Sequence, residues 1–151
     1  MKIKTITISI ALLVLVCSIT AIAAEDASVS GHTFEVPKDY NVLNTTAEQV
    51  ILQKDDSHVI TTLFSDKVAN SKDTISSLES KGYKFLSEDT YDAEGFKISQ
   101  QNFEKDGLTI YSYNFKISDG NYCIITFTMP SSETALEGDA NPVTGILKTL
   151  E

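Results

Sequence analysis

The sequence predicts an α+β fold class, an antiparallel β-sheet with a C-terminal three-strand meander, packed by two helices. Three observations carry this. The runs GFKISQQNFEK, LTIYSYNFKI and NYCIITFTM alternate apolar and polar residues from Gly95 to Met129. They are broken by Asp106-Gly107 and Asp119-Gly120, and Asp-Gly between alternating runs is the strongest short-range hairpin signal. Val143, Ile146, Leu147 and Leu150 recur at helical spacing behind Asn141-Pro142, an N-cap followed by proline at the first helical position. A shorter helical pattern, Ile75 with Leu78, lies between Ser71 and Gly82.

Taken in order, the chain opens on a basic Met1 to Lys4, an apolar Thr5 to Thr20 and small residues at Ala21 to Ala24, the pattern of a secretory signal peptide over residues 1–24. The alternative is an uncleaved membrane anchor, because Thr5 to Ala24 has the length of a bilayer span. Cys17 follows Val16, whereas a lipid-attachment site wants a small residue there. Residues 25–31, EDASVSG, are small and polar and read as a flexible tether. A single domain over 32–151 is then expected, since that length supports one core rather than two. His32 to Val36 reads as a strand ended by Pro37, with Phe34 and Val36 inward, and Lys38 to Tyr40 as a turn. Asn44-Thr45-Thr46 matches an N-glycosylation acceptor. Gln49 to Lys54 and His58 to Phe64 flank the turn-forming Lys54 to Ser57 as a hairpin. The first helix runs from Ser71 as N-cap, with Asp73 in its first turn and Gly82 as its stop. Tyr83 to Leu86 is a short strand and Ser87 to Gly95 an acidic turn. Residues 130–141 form a loop with one helical turn near Thr134 to Glu137, ahead of the terminal helix.

Register makes the meander testable, because a one-residue slip exchanges its two faces. A two-residue Asp106-Gly107 loop sets Lys105 opposite Leu108, and hence Ile98 opposite Phe115. At the second turn a two-residue loop would oppose Ile125 to Asn114. A three-residue Ser118-Asp119-Gly120 loop with a left-handed Gly120 instead opposes Phe115 to Cys123 and Tyr113 to Ile125, and keeps the apolar faces together. Unequal hairpins are therefore expected, with the C-terminal helix docked on the aromatic face of the sheet.

The order of strand, hairpin, helix, strand, meander and terminal helix behind a leader, opening on Phe34-Glu35-Val36-Pro37 and Tyr40, resembles the Mog1/PsbP/DcrB-like superfamily. Within it the chain is similar to small exported PsbP-like proteins that open on an F-x-[VI]-P-x-x-[YFW] strand and turn, and to uncharacterised secreted proteins of methanogenic archaea. The resemblance spans residues 32–151 by element order. It implies a central antiparallel sheet with helices packed on it and a non-catalytic, protein-binding or accessory role. No functional residue transfers from it to a position in this chain.

Charge excludes one class of partner. The formal net charge is −9 with no Arg, and loss of Lys2 and Lys4 with the leader makes it −11. Such a surface is unsuited to nucleic acid, which selects for concentrated positive charge. Catalytic signatures are thin. His32 and His58 stand at strand ends without a spaced partner, and no nucleophile elbow arranges the Ser, Asp and His residues. Cys123, the one cysteine beyond the leader, faces the core in the register above and reads as an inert thiol, with a nucleophile or an intermolecular bridge as the alternatives. Asp89, Asp92 and Glu94 in the acidic turn are a candidate weak calcium site, because a flexible oxygen-rich loop suits that ion. Tyr91, Tyr111, Tyr113 and Tyr122 suggest an aromatic surface for sugar or peptide, although Tyr111 and Tyr113 point inward. Phe103, Ile110, Tyr122 and Ile124 form an apolar cluster on the outer, otherwise polar face. It is either covered by the first hairpin or loop 130–141, or it is an interaction patch.

These readings favour an exported, non-enzymatic binding or accessory module at the cell surface or envelope, with a protein partner and no cofactor. One alternative is a structural or homo-oligomeric surface protein that associates through a sheet edge such as the proline-ended first strand. A third is an exported hydrolase. The location is secreted or extracytoplasmic, with membrane attachment only if the leader is retained.

Overall fold

A computed structural model describes residues 25–68 and 70–151; the expected leader and Cys17 lie outside the described residues. Its elements run β1 (Asp26–Val29), β2 (His32–Glu35), β3 (Asn41–Thr45), β4 (Gln49–Asp55), β5 (His58–Ser65) and α1 (Ser71–Ser80). They continue with β6 (Lys84–Ala93), β7 (Phe96–Lys105), β8 (Leu108–Lys116), β9 (Tyr122–Pro130), a 3-10 turn (Gly138–Ala140) and α2 (Pro142–Thr149). β1 and β2 make a two-stranded sheet, and the other seven strands a second sheet in the order β3-β4-β5-β9-β8-β7-β6. Every pairing is antiparallel, so the protein is α+β.

The meander folds in the register its turns dictate. Asp106 and Gly107 both take positive φ, 52° and 77°, and place Lys105 opposite Leu108. That is the backbone twist a two-residue hairpin needs. At the second turn Ile117 N–H donates to the Asn121 carbonyl at 2.8 Å around a three-residue loop in which Gly120 has φ 88°. Phe115 therefore faces Cys123 and Tyr113 faces Ile125. Ile98, Tyr113, Phe115, Cys123, Ile125, Phe127 and Met129 are all buried on one side of the sheet. The main core forms there, under α2 and the β1-β2 hairpin, with Phe34, Val143 and Ile146 contributed by the covering elements. At roughly 1.5–3 kcal/mol per fully buried large side chain, this layer is the dominant stabilising term.

Five expectations are corrected. The tether is structured, because Asp26 to Val29 pairs with β2 through a two-residue Ser30-Gly31 turn, and Ala27 and Val29 are buried. Two small apolar residues at alternate positions suffice for a strand when a preformed surface receives them, so the folded region includes β1. The first strand offers no free edge either. Beyond β1, its other side is sealed by the chain terminus, where Thr33 N–H donates to the Glu151 carbonyl at 3.1 Å and Glu151 N–H donates to Thr33 O at 2.9 Å. The expected acidic turn is mostly strand: β6 continues to Ala93 and only Glu94-Gly95 turns. Asp89 and Asp92, three residues apart on one strand, consequently point to opposite faces. The helix N-cap is Asn70, whose Oδ1 accepts from Lys72 N–H and Asp73 N–H, and Ser71 is the first helical residue. The edge strand β3, with a bulge between Val42 and Asn44, has no counterpart in the expectations, and the turn expected at Thr134 to Glu137 forms at Gly138–Ala140 instead.

The two helices lie on opposite faces of the large sheet. α2 is capped by Asn141, whose Oδ1 accepts from Val143 N–H at 2.9 Å, and buries Val143, Ile146 and Leu147 on the inner face. α1 covers the outer face, where Leu78 packs with Phe103 and Ile110, joined by Ile75, Tyr83 and Phe85. No helix among the described residues is long and apolar enough to cross a membrane.

Candidate functional site

Inner-face positions of β6, β7 and β8 carry Tyr91, Gln100, Asn102, Tyr111 and Tyr113. Residues two apart on a strand share a face, so Gln100 and Asn102 stand side by side. Cross-strand pairing sets Gln100 beside Tyr113 and Asn102 beside Tyr111. α2 has only eight residues and packs beside β2, which leaves this half of the inner face partly covered: Tyr113 is buried, whereas Tyr91, Gln100, Asn102 and Tyr111 are half-buried. Between it and the segment from Ala135 to Asn141 lies an open pocket of about 500 Å³, closed on the α2 side by Val143, Thr144 and Leu147.

The pocket floor is a hydrogen-bonded chain. Tyr91 Oη donates to Gln100 Oε1 at 2.6 Å, Gln100 Nε2 donates to Asn102 Oδ1 at 2.8 Å, and Asn102 Nδ2 donates to Ser87 Oγ at 2.9 Å. Across the pocket the capping Asn141 uses its Nδ2 to donate to Tyr113 Oη at 3.2 Å. One side chain thus starts α2 and fixes a tyrosine of the floor. Burial pushes the Tyr113 phenol up to about 12, the Asn141 hydrogen bond partly offsets this, and the neighbouring Tyr91 and Tyr111 add to it. Burial also raises Tyr91, with Asp89 adding to it, and burial raises Tyr111. All three hydroxyls are therefore neutral donors and acceptors at physiological pH.

Three of the four tyrosines expected to form an aromatic surface are thus brought together, and Tyr122 is not. It pairs with Lys116 and Ser65 at the far end of the outer face. The outer apolar cluster is divided. Phe103 and Ile110 are buried under α1, which covers them in place of the first hairpin or loop 130–141, while Tyr122 and Ile124 remain half-buried away from it. A contiguous four-residue patch does not exist. Asp89, Asp92 and Glu94 are spread over two strand faces and a turn, and no group of three or more His, Cys, Asp or Glu residues able to hold a metal occurs among the described residues. Asn44 is exposed on β3.

Both histidines serve local structure. His32 stacks on Phe64 with ring centroids 4.7 Å apart and bonds Asp119 at 2.9 Å. His58 lies between Asp55, at 2.8 Å, and Glu133, at 3.0 Å. Burial depresses the His58 pKa, but the hydrogen bonds and charges of the two carboxylates prevail and raise it. Cys123 is fully buried and burial pushes its thiol up, which removes it from nucleophilic chemistry at neutral pH. Gln100, Asn102 and Asn141 were not singled out from the sequence as site residues. Their signal was available, because Gln100 and Asn102 are large amides at inward-facing positions, where an apolar core would place aliphatic residues.

No family model matches the chain, and no curated protein does. A crystal structure from Bacteroides thetaiotaomicron VPI-5482 is similar in fold, with a TM-score of 0.52 at 14% identity over 80% of this chain. The chain spans under half of that protein's length, 44%. The likeness concerns the α+β architecture alone.

Proposed function

We propose that the protein is an exported, non-enzymatic binding or accessory module of the cell surface or envelope, and that it works through the open pocket between α2 and β6 to β8. The observation that carries this reading is the Tyr91-Gln100-Asn102-Ser87 chain. Polar side chains aligned at the floor of a pocket with apolar walls are the usual construction of a ligand site. Binding is favoured over hydrolysis by the composition of the walls. Among the described residues no His, Cys or Lys lines the pocket, and its two carboxylates, Glu94 and Glu137, are exposed rather than sunk in the apolar wall a general-acid carboxyl requires.

Membership of the small exported branch of the Mog1/PsbP/DcrB-like superfamily belongs to the same proposal. It is supported by β2, where Phe34 and Val36 enter the core and Tyr40 packs against it. Export rests on the leader-like residues 1–24. Association through a sheet edge would have to use β3, β6 or the outer side of β1, and β6 carries Lys84, Glu88, Asp89 and Asp92, the charged guard that keeps edges unpaired.

The test is a thermal-shift screen of a small-molecule library on the purified protein, repeated on Thr144→Trp, which puts a large ring at the pocket wall. Compounds that raise the melting temperature of the natural protein are expected to lose their effect on the variant. A library without hits, or hits indifferent to the substitution, would remove the pocket from the function.

A further inference from the structure

The walls of the pocket restrict the chemistry of its occupant. Among the described residues its charged lining consists of Glu94 and Glu137, on a chain of net charge −9 without Arg. A phosphate or carboxylate ligand would meet those carboxylates, while Lys148, near enough to act on Glu94, is already paired with Asp139 at 2.6 Å, so the surrounding field would repel such a ligand. An ammonium ligand would find its carboxylates only in exposed positions, where water and salt screen them. The floor itself is neutral.

The floor has unspent hydrogen-bonding capacity. Gln100 and Asn102 each donate one N–H within the chain, and each amide has a second hydrogen and a further acceptor lone pair. The Tyr111 hydroxyl makes no hydrogen bond to a described residue. Donors and acceptors alternate over neighbouring residues, which suits adjacent hydroxyl groups, since each hydroxyl also donates and accepts. Beside this polar line stands the half-buried ring of Tyr111, backed by the fully buried Phe127 at 6.1 Å between centroids and tilted by 31°, an apolar surface for the C–H face of a ring.

We infer that the pocket takes a neutral, hydroxyl-rich ligand of monosaccharide to disaccharide size, with hydroxyls seated on Gln100, Asn102 and Tyr111 and its C–H face on the Tyr111 ring. The volume of about 500 Å³ falls within the usual range for such sites. This inference rests on the binding reading above.

The experiment titrates the purified protein with N-acetylglucosamine and cellobiose, beside glucuronate and glucosamine, which carry a negative and a positive group on a similar ring. The chain has no Trp and six Tyr, so its emission reports tyrosine surroundings directly. The side-chain amide resonances of Gln100, Asn102 and Asn141 locate binding. The expected result is saturable binding of a neutral sugar, with shifts at those amides and weaker binding of glucuronate. Tyr111→Phe, which keeps the ring on Phe127 and deletes only the hydroxyl, should weaken binding about tenfold, the effect of one lost hydrogen bond. Binding of glucosamine alone would overturn the ligand class and leave the pocket as a cation site. If no sugar moves the amides while a library compound does, the sugar inference fails and the binding reading stands. Silence in both experiments ends both.

Discussion

Thr62 offers a test of the inner core in which a substitution should improve the protein. Its side chain lies on the inner face of β5, between Val50 and Ile125 on the neighbouring strands, and is fully buried. Its Oγ1 finds no hydrogen-bond partner among the described residues. A hydroxyl buried without a partner costs roughly 1–3 kcal/mol. Thr62→Val exchanges that hydroxyl for a methyl of similar shape, keeps the β-branch that suits a strand, and adds apolar contact to a wall already made of Val50, Ile125 and Ile60. The expected gain is about 1–2 kcal/mol, after allowing for the slightly larger methyl in a packed core. For a domain of this size 1 kcal/mol moves the melting temperature by roughly 4 °C, so a rise of about 4–8 °C is expected by calorimetry, with the urea midpoint moving in the same sense. Thr61→Val, one residue away on the half-buried outer face, serves as control and should stay within about 0.5 kcal/mol. A loss of stability in Thr62→Val larger than that of the control would refute the reasoning, because it would mean that the hydroxyl is paired within the core.

Phe103→Ala removes the ring on which α1 rests and should destabilise by about 3–5 kcal/mol, read by urea denaturation, whereas Ile124→Ala on the uncovered part of the same face should cost much less. The His58 cluster makes stability pH-dependent. The folded-state pKa of His58 is raised from 6.5, so its contribution is complete below that value and lost as pH climbs through the folded one. Asp55 works from the acid side. Burial opposes the shift, but the hydrogen bonds from His58 and Ser57 lower its pKa from 3.8, so its contribution is lost as pH falls toward and below that value. The difference in melting temperature between the natural protein and His58→Gln should therefore peak between about pH 4 and 6.5 and vanish in alkali, on the order of 1 kcal/mol at most for a partly exposed cluster. A difference independent of pH would contradict this. Cys123 should resist a thiol reagent in the native protein and react fully in denaturant; rapid native labelling would show that β8 and β9 separate readily.

The sequence disclosed what short-range chemistry decides. Asp106-Gly107 and the Ser118 to Gly120 loop fix their own backbone twist, and with it the register of three strands, because a hairpin is closed by residues adjacent in the chain. The cap and stripe of α2 were legible for the same reason. The misread elements depend on distant partners. β1 is a strand because the inner core offers Ala27 and Val29 a place beside Phe34, and nothing within EDASVSG announces it. The acidic stretch after Leu86 extends because β7 supplies an unbroken ladder from Ser87 to Ala93 beyond a bulge at Leu86, and cross-strand pairing overrides a composition that favours turns. The pocket lies between these cases. Its floor was written in the parity of Gln100 and Asn102, once the register placed them inward with Tyr111 and Tyr113. The opening above them was not, since it exists only because α2 is too short to cover the sheet from β2 to β6. A helix two turns longer would bury Tyr91, Tyr111 and the amides as Tyr113 is buried already, and the polar chain would then have to be satisfied wholly within the core. The length of α2, set by Asn141-Pro142 at one end and by the pairing of Glu151 with Thr33 at the other, therefore determines that this part of the sheet is left partly open and not packed into the core.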